Sequence, residues 1–182
     1  MTNAWYVLYR NYQYSVVISK DDTLITYFGQ ICGKRPLRPE DTETGVQQFL
    51  MESITAGNCA VLRVVGEIDG HTAPELRQRV IQLADNGTLH IIADLRSVDF
   101  LDSTGLGVLV GGLKRLRMRE GSLALVATGG RILQLFEITG LSHAFALHSC
   151  VPDAITADQH WQATLAGQGE NATAWCQDNG LI

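Results

Sequence analysis

From residue 48 onward, the apolar positions switch repeatedly between a strand period and a helix period. Residues 48–54 and, past Ala56-Gly57-Asn58, residues 60–68 read as strands; the second is an apolar run suited to a central position in a sheet. Leu76, Val80, Leu83 and Ala84 then recur at i, i+4, i+7 and i+8, and the pattern stops at Asn86-Gly87. Thr72 and Glu75 have capping-box spacing at the start of that helix, and Pro74 is tolerated in its first turn. Residues 88–95 form the next strand, followed by a short turn. A helix over 103–119 carries Leu106, Leu109, Leu113 and Leu116 and ends at Gly121. A strand at 122–127 and a helix at 130–139 burying Ile132, Leu135 and Phe136 come next. A short edge strand at 144–148 and a helix from 152 to 165 complete the pattern. Strands alternating with helices predict an α/β domain with a mostly parallel sheet and right-handed crossovers.

Both ends of the chain depart from this pattern. All five tyrosines fall within the first 27 residues, where residues 5–18 and 23–31 have strand composition and residues 19–22 suit a hairpin turn. Pro36, Pro39 and the polar run 40–43 read as a linker. The expected organisation is a strand-rich extension and linker over 1–45, a domain over 46–165 and a flexible tail over 166–182. The tail is rich in Gly, Gln, Asn and Ala without periodicity. Trp161 is placed as an anchor for the last helix, and Trp175 has no evident role.

Composition narrows the function. A chain of 182 residues with 46% hydrophobic and 18% charged residues has enough apolar surface for one domain with a real core. No apolar run approaches the ~18 residues of a membrane span, and the start of the chain lacks the layout of a secretory signal, so a cytoplasmic protein is expected. Cys32, Cys59, Cys150 and Cys176 have no metal or disulfide spacing, and the five histidines are dispersed, so no metal site is expected. Cys59 reads as a small core residue. A net charge of −5 argues against direct nucleic-acid binding. Lys114, Arg115, Arg117 and Arg119 crowd together, but at a helix end, where cations complement the dipole.

The chemistry gathers at Asp102-Ser103-Thr104-Gly105. Here a hydroxyl is held at a helix N-terminus, where free backbone N–H groups and the macrodipole favour added negative charge. The simpler alternative is that Ser103 only caps its helix. Gly105-Leu106-Gly107 with Gly111-Gly112 loosely suggests a dinucleotide loop, but the spacing is wrong and no acid follows the next strand to hold a ribose. Ser103 has no sequence-evident base and no glycine-flanked nucleophile elbow, so the segment reads as the substrate of an enzyme rather than as an enzyme. No catalytic residue and no cofactor are assigned.

Residues 99–107, Asp-Phe-Leu-Asp-Ser-Thr-Gly-Leu-Gly, resemble the phosphoacceptor segment of the single-domain STAS proteins that act as anti-sigma factor antagonists. Gly66-Glu67-Ile68-Asp69 followed by Thr72-Ala73-Pro74 resembles a second signature of that family, and Ile138-Thr139-Gly140-Leu141 a third. The resemblance spans residues 46 to 160 and implies a STAS-like fold, a small sheet with helices packed mainly on one face. It implies that Ser103 is the phosphorylated residue and that Glu67, Asp69, Asp102, Thr104 and Gly105 line a docking face. Acidic groups around Ser103, Asp99 included, suggest a partner with a basic rim.

The implied partner is an anti-sigma factor that is also an ATP-dependent serine kinase, with a separate phosphatase acting on phosphorylated Ser103. The unphosphorylated form would bind the kinase and release a sigma factor. The alternative is a STAS scaffold module in a larger signalling assembly, with the tyrosine-rich extension as its assembly element. The membrane-transporter form of STAS is excluded by the missing spans.

Overall fold

The structure, a computed structural model, describes residues 15–18, 24–27 and 49–182. Contacts divide the chain into two units, Met1–Val46 and Gln47–Ile182. In the first, β1 (Ser15–Ile18) and β2 (Leu24–Tyr27) pair antiparallel, Ser15 opposite Tyr27 and Ile18 opposite Leu24. The expected linker at residues 36–43 lies outside the described residues.

The second unit is built on a five-stranded sheet of order β3-β4-β5-β6-β7: β3 (Leu50–Ala56), β4 (Cys59–Ile68), β5 (His90–Leu101), β6 (Ser122–Val126) and β7 (Ala146–His148). β3 and β4 form an antiparallel hairpin closed by Gly57-Asn58, and Gly57 takes the left-handed conformation (φ +55°) that tight hairpin turns require. The remaining pairings are parallel. The intervening helices are α1 (Ala73–Asp85), α2 (Ser103–Arg117) and α3 (Gly130–Ile138), with a 3-10 turn at Leu141–His143. The expected strands and helices between residues 50 and 148 are present, with β5 extended to Leu101.

Alternation along the central strands divides the core in two. Ala60, Leu62 and Val64 of β4, Ile91, Ala93 and Leu95 of β5, and Leu123 and Leu125 of β6 pack with the apolar stripes of α1, α2 and α3. Cys59, Val61, Ile92, Ala124 and Val126 face the other way. That second face is covered by α4 (Val151–Ala157), α5 (Gln159–Gln168) and α6 (Ala172–Asp178), through Val151, Ile155, Trp161, Leu165, Trp175 and Leu181. The layer of α1–α3 expected from the family resemblance is therefore joined by a layer on the opposite face.

This second layer corrects the reading of residues 166–182 as a flexible tail. Its composition is polar, yet Trp175, Cys176 and Leu181 are buried, and Trp175 meets Trp161 edge to face at 5.3 Å between ring centroids. Three apolar residues spaced along a short helix and its exit suffice to dock a segment that has no long-range periodicity. The end is also tied polarly. Asp94, buried on β5, forms a bidentate pair with Arg96 (Nε to Oδ1 2.9 Å, Nη2 to Oδ2 2.8 Å), and Arg96 Nη2 donates to the Leu181 carbonyl at 2.8 Å. Arg63 donates to the Gly180 carbonyl. The single helix expected from 152 to 165 is two, broken at Asp158, whose carboxylate caps α5 by accepting from the N–H groups of His160 and Trp161.

Two glycines serve close packing. A Cβ on Gly121 would collide with the Leu89 carbonyl oxygen, so the position is closed to any side chain, and the left-handed residue after α2 is Glu120 (φ 60°) instead. Gly105, buried in the first turn of α2, is the other. No helix among the described residues is long and apolar enough to cross a membrane.

Candidate functional site

The site lies at the C-terminal ends of β4 and β5, and irregular strand pairing builds it. β5 carries one extra residue opposite the step from Arg63 to Val65 and another opposite the step from Gly66 to Glu67. Each extra residue reverses the in–out alternation, so Val98 and Leu101 both turn into the core although they lie three apart. Gly66 takes φ +96° at the second irregularity, a conformation open to glycine. The strand thus runs on to Leu101, where the alternation in the sequence had suggested an end at 95. No loop of any length separates β5 from α2: Asp102 alone joins them.

Asp102 is a double anchor. Its backbone N–H donates to the Ile68 carbonyl at 3.0 Å, holding the end of β4 against the start of α2. Its side chain caps α2, Oδ1 accepting from the Gly105 N–H at 2.8 Å. The cap is therefore Asp102, not Ser103. Ser103 is the first residue of the helix, half-buried, and its hydroxyl makes no hydrogen bond to another described residue. The amides of Ser103 and Thr104, at the open end of the helix, have no carbonyl one turn earlier to receive them. Thr104 is exposed beside them.

Gly105 was expected on the docking face, and the structure corrects this. It is buried, and a Cβ there would lie 2.5 Å from Ile68 Cγ2 and 2.6 Å from Leu101 Cδ1. The residue is glycine because the first turn of α2 lies directly on the ends of β4 and β5. Gly107, with open space around it, has no such constraint.

The turn from β4 to α1 is organised by Asp69 and Thr72. Asp69 Oδ1 accepts from the N–H groups of His71 (2.9 Å) and Thr72 (3.1 Å). The Thr72 hydroxyl accepts from the Asp69 N–H at 2.9 Å and donates to the Glu67 carbonyl at 2.8 Å. Burial alone would raise the Asp69 pKa, but the His71 and Thr72 amides and the Thr72 hydroxyl outweigh it and hold the carboxyl below its usual range. The Thr72–Glu75 capping box expected here does not form, because the Thr72 hydroxyl is spent on the Asp69 turn. Asp69 is thus half-buried and committed to loop shape, and Glu67 lies opposite Phe100, also half-buried. Ile138-Thr139-Gly140-Leu141 forms a helix terminus: the Thr139 hydroxyl donates to the Leu135 carbonyl at 2.7 Å, and Gly140 adopts φ 70°.

Beside the site runs a groove of about 390 Å³ between α1 and α2. Thr104, Gly107 and Gly111 border it, with Arg77 and Arg115 at its sides. The surface next to Ser103 is therefore bipolar, acidic around Glu67, Asp69 and Asp102 and basic along the groove. Sequence reading missed Arg77 altogether and placed Arg115 only in a cationic helix end. Of that cluster, Arg117 donates to the Ala144 carbonyl at 2.8 Å and Arg119 pairs with Asp85 at 3.2 Å.

The STAS domain family model matches residues 51–154. The anti-sigma-B factor antagonist of Listeria monocytogenes is 48% identical over 81 residues, covering 43% of this chain and 69% of that one. The anti-sigma-B factor antagonist of Staphylococcus aureus is 40% identical over 91 residues, covering 50% of this chain and 84% of its own length. The crystal structure of an anti-sigma factor antagonist from Mycobacterium paratuberculosis superimposes with a TM-score of 0.58 at 30% identity, over 63% of this chain and 97% of that one. With the fold and these relatives in agreement, the chain belongs to the STAS-domain family of anti-sigma factor antagonists.

Proposed function

We propose that this protein is an anti-sigma factor antagonist switched by phosphorylation of Ser103. Unphosphorylated, it binds an anti-sigma factor that is also an ATP-dependent serine kinase, and a sigma factor is released. Transfer of phosphate to Ser103 ends the complex, and a separate phosphatase restores it. It acts in the cytoplasm as a binding protein and as a kinase substrate.

The observation that carries this reading is the state of Ser103: a hydroxyl with no hydrogen-bond partner among the described residues, on the first residue of α2, beside a helix cap already supplied by Asp102. A residue that capped the helix would lose that role on modification and unravel its first turn. Ser103 has no such duty, so a phosphate can come and go on an unchanged fold. The phosphate adds about −1.5 to −2 charges. Next to Asp102 and close to the Asp69 turn, that charge adds to an acidic neighbourhood, and burying it in a packed interface costs binding energy. Glu67, Asp69, Asp102 and Thr104 surround Ser103 on the docking face in this reading, and the groove with Arg77 and Arg115 extends that face. Gly105 contributes through the backbone it allows, not as a contact.

The test is incubation with the cognate kinase and ATP. Wild type becomes labelled and Ser103→Ala does not; labelling that persists in Ser103→Ala and disappears in Thr104→Ala would refute the assignment. Ser103→Asp should keep its thermal transition, since an acidic residue in a first helical turn is neutral or stabilising by roughly 0.3–1 kcal/mol. It should also lose most of its affinity for the kinase. Loss of the transition itself would make Ser103 structural.

A further inference from the structure

The opposite end of the sheet carries a second cluster, more than about 30 Å from Ser103 along the twelve-residue β5. His90 opens β5 and Ser122 opens β6, paired directly across the sheet. Asp158 and His160 stand at the start of α5. His90 is 3% exposed, and its ring lies 3.8 Å from that of His160, nearly parallel at 12°. The Ser122 hydroxyl lies 3.0 Å from His90 Nδ1 and donates to Asp158 Oδ2 at 2.8 Å. Donor atoms of His90, Asp158 and His160 all fall within 4.8 Å of one another.

The hydrogen bonds leave this cluster with lone pairs to offer. Ser122 spends its only proton on Asp158, so it accepts from the Nδ1–H of a neutral His90 ring, whose second nitrogen keeps its lone pair. The Asp158 carboxylate has about four acceptor positions. Ser122 and the N–H groups of His160 and Trp161 use three, leaving one.

We propose that His90, Asp158 and His160 bind one divalent transition-metal ion of the zinc class. Two imidazoles and a carboxylate are a normal donor set for such an ion, with water in the remaining position. Ligands around a tetrahedral zinc stand about 3.3 Å apart, so the donors must close by an ångström or so. His160 supplies that movement: its side chain is 61% exposed and turns out of the ring stack without disturbing the core. Ser122 is the outer partner that fixes both His90 and Asp158, as ligand-orienting groups do at metal centres. The ion staples α5 to the starts of β5 and β6. Asp158 and His160 lie beyond residue 154, where the family match ends, so the site needs the C-terminal layer as well as the matched domain that supplies His90 and Ser122.

The experiment titrates the full chain with Zn²⁺ alone at pH 7.5, by calorimetry and thermal melting, and repeats it with Co²⁺ followed by its visible absorption. Wild type should show one saturable equivalent, a tetrahedral Co²⁺ spectrum and a Tm that rises by several degrees with excess ion. His160→Ala, at an exposed position, should fold as wild type does, bind at least tenfold more weakly and lose the Tm rise. His148→Ala should bind as wild type does. Absence of a saturable site in wild type overturns the proposal, as does undiminished binding in His160→Ala. Neither result bears on Ser103, at the other end of the strand.

Discussion

Gly105 Cα packs so closely on Ile68 that a methyl group added to it would lie 2.5 Å from Ile68 Cγ2. This contact, with the Asp102 N–H on the Ile68 carbonyl, fixes the helix that presents Ser103 onto the end of β4. Gly105→Ala should therefore destabilise the domain by about 1–3 kcal/mol in chemical denaturation, the usual cost of overpacking. Gly107→Ala, on the same helix with nothing within 4 Å, should stabilise it by about 0.5–1 kcal/mol through helix propensity. Equal effects of the two substitutions would show that Gly105 is not under steric constraint.

Asp69 shapes the turn through two backbone N–H groups, so Asp69→Ala should cost about 0.5–2 kcal/mol at pH 7. Its folded pKa lies below the ordinary 3.8, so its contribution is present above that value and lost as pH falls through the lower folded one. The stability gap between wild type and Asp69→Ala should narrow toward pH 3. A constant gap from pH 7 to pH 3 would mean the charge plays no part.

His90 titrates in the opposite sense to a histidine that gains a salt bridge. Burial first, then the neighbouring His160, lower its pKa from 6.5, against the opposing pull of Asp158. The unfolded chain therefore takes up a proton before the folded one does. In metal-free buffer, stability should be level above pH 7 and fall as pH drops below about 6.5 toward the lower folded value. Denaturation midpoints measured from pH 8 to pH 5 check this, and His90→Gln should flatten the decline.

Trp175 is 5% exposed and stacked edge to face on Trp161, which is wholly buried. Trp175→Ala should cost about 3–5 kcal/mol in urea denaturation, as aromatic truncations in cores do. A loss under 1 kcal/mol would return residues 170–182 to the status of a loose tail.

Residues 47–182 form a compact unit with its own core and contain every residue of the site. Deleting residues 1–46 should leave a cooperative thermal transition and binding to the proposed kinase partner. A truncated protein that aggregates or melts without cooperativity would show that the extension completes the domain.

The sequence by itself determined the order of elements, the parallel sheet and the position of Ser103 at a helix start, because periods of 2 and 3.6 and a capping residue are local properties. Residues 60–68 and the Leu106, Leu109, Leu113, Leu116 stripe are legible for that reason, and Cys59, read as a core residue, is wholly buried. Only the tertiary structure decided the rest. The two extra residues of β5 break the alternation that marks a strand, so its last six residues looked like a loop. Gly105 matched a motif, but its reason is a steric approach by Ile68 and Leu101 that no local pattern records. Residues 166–182 contain too few apolar positions to show a period, and their order comes from the face they cover and from Arg96, 85 positions from the carbonyl it holds. His90, Ser122, Asp158 and His160 are scattered over 71 positions, and it is the sheet register, with α5 folding back across it, that brings them together.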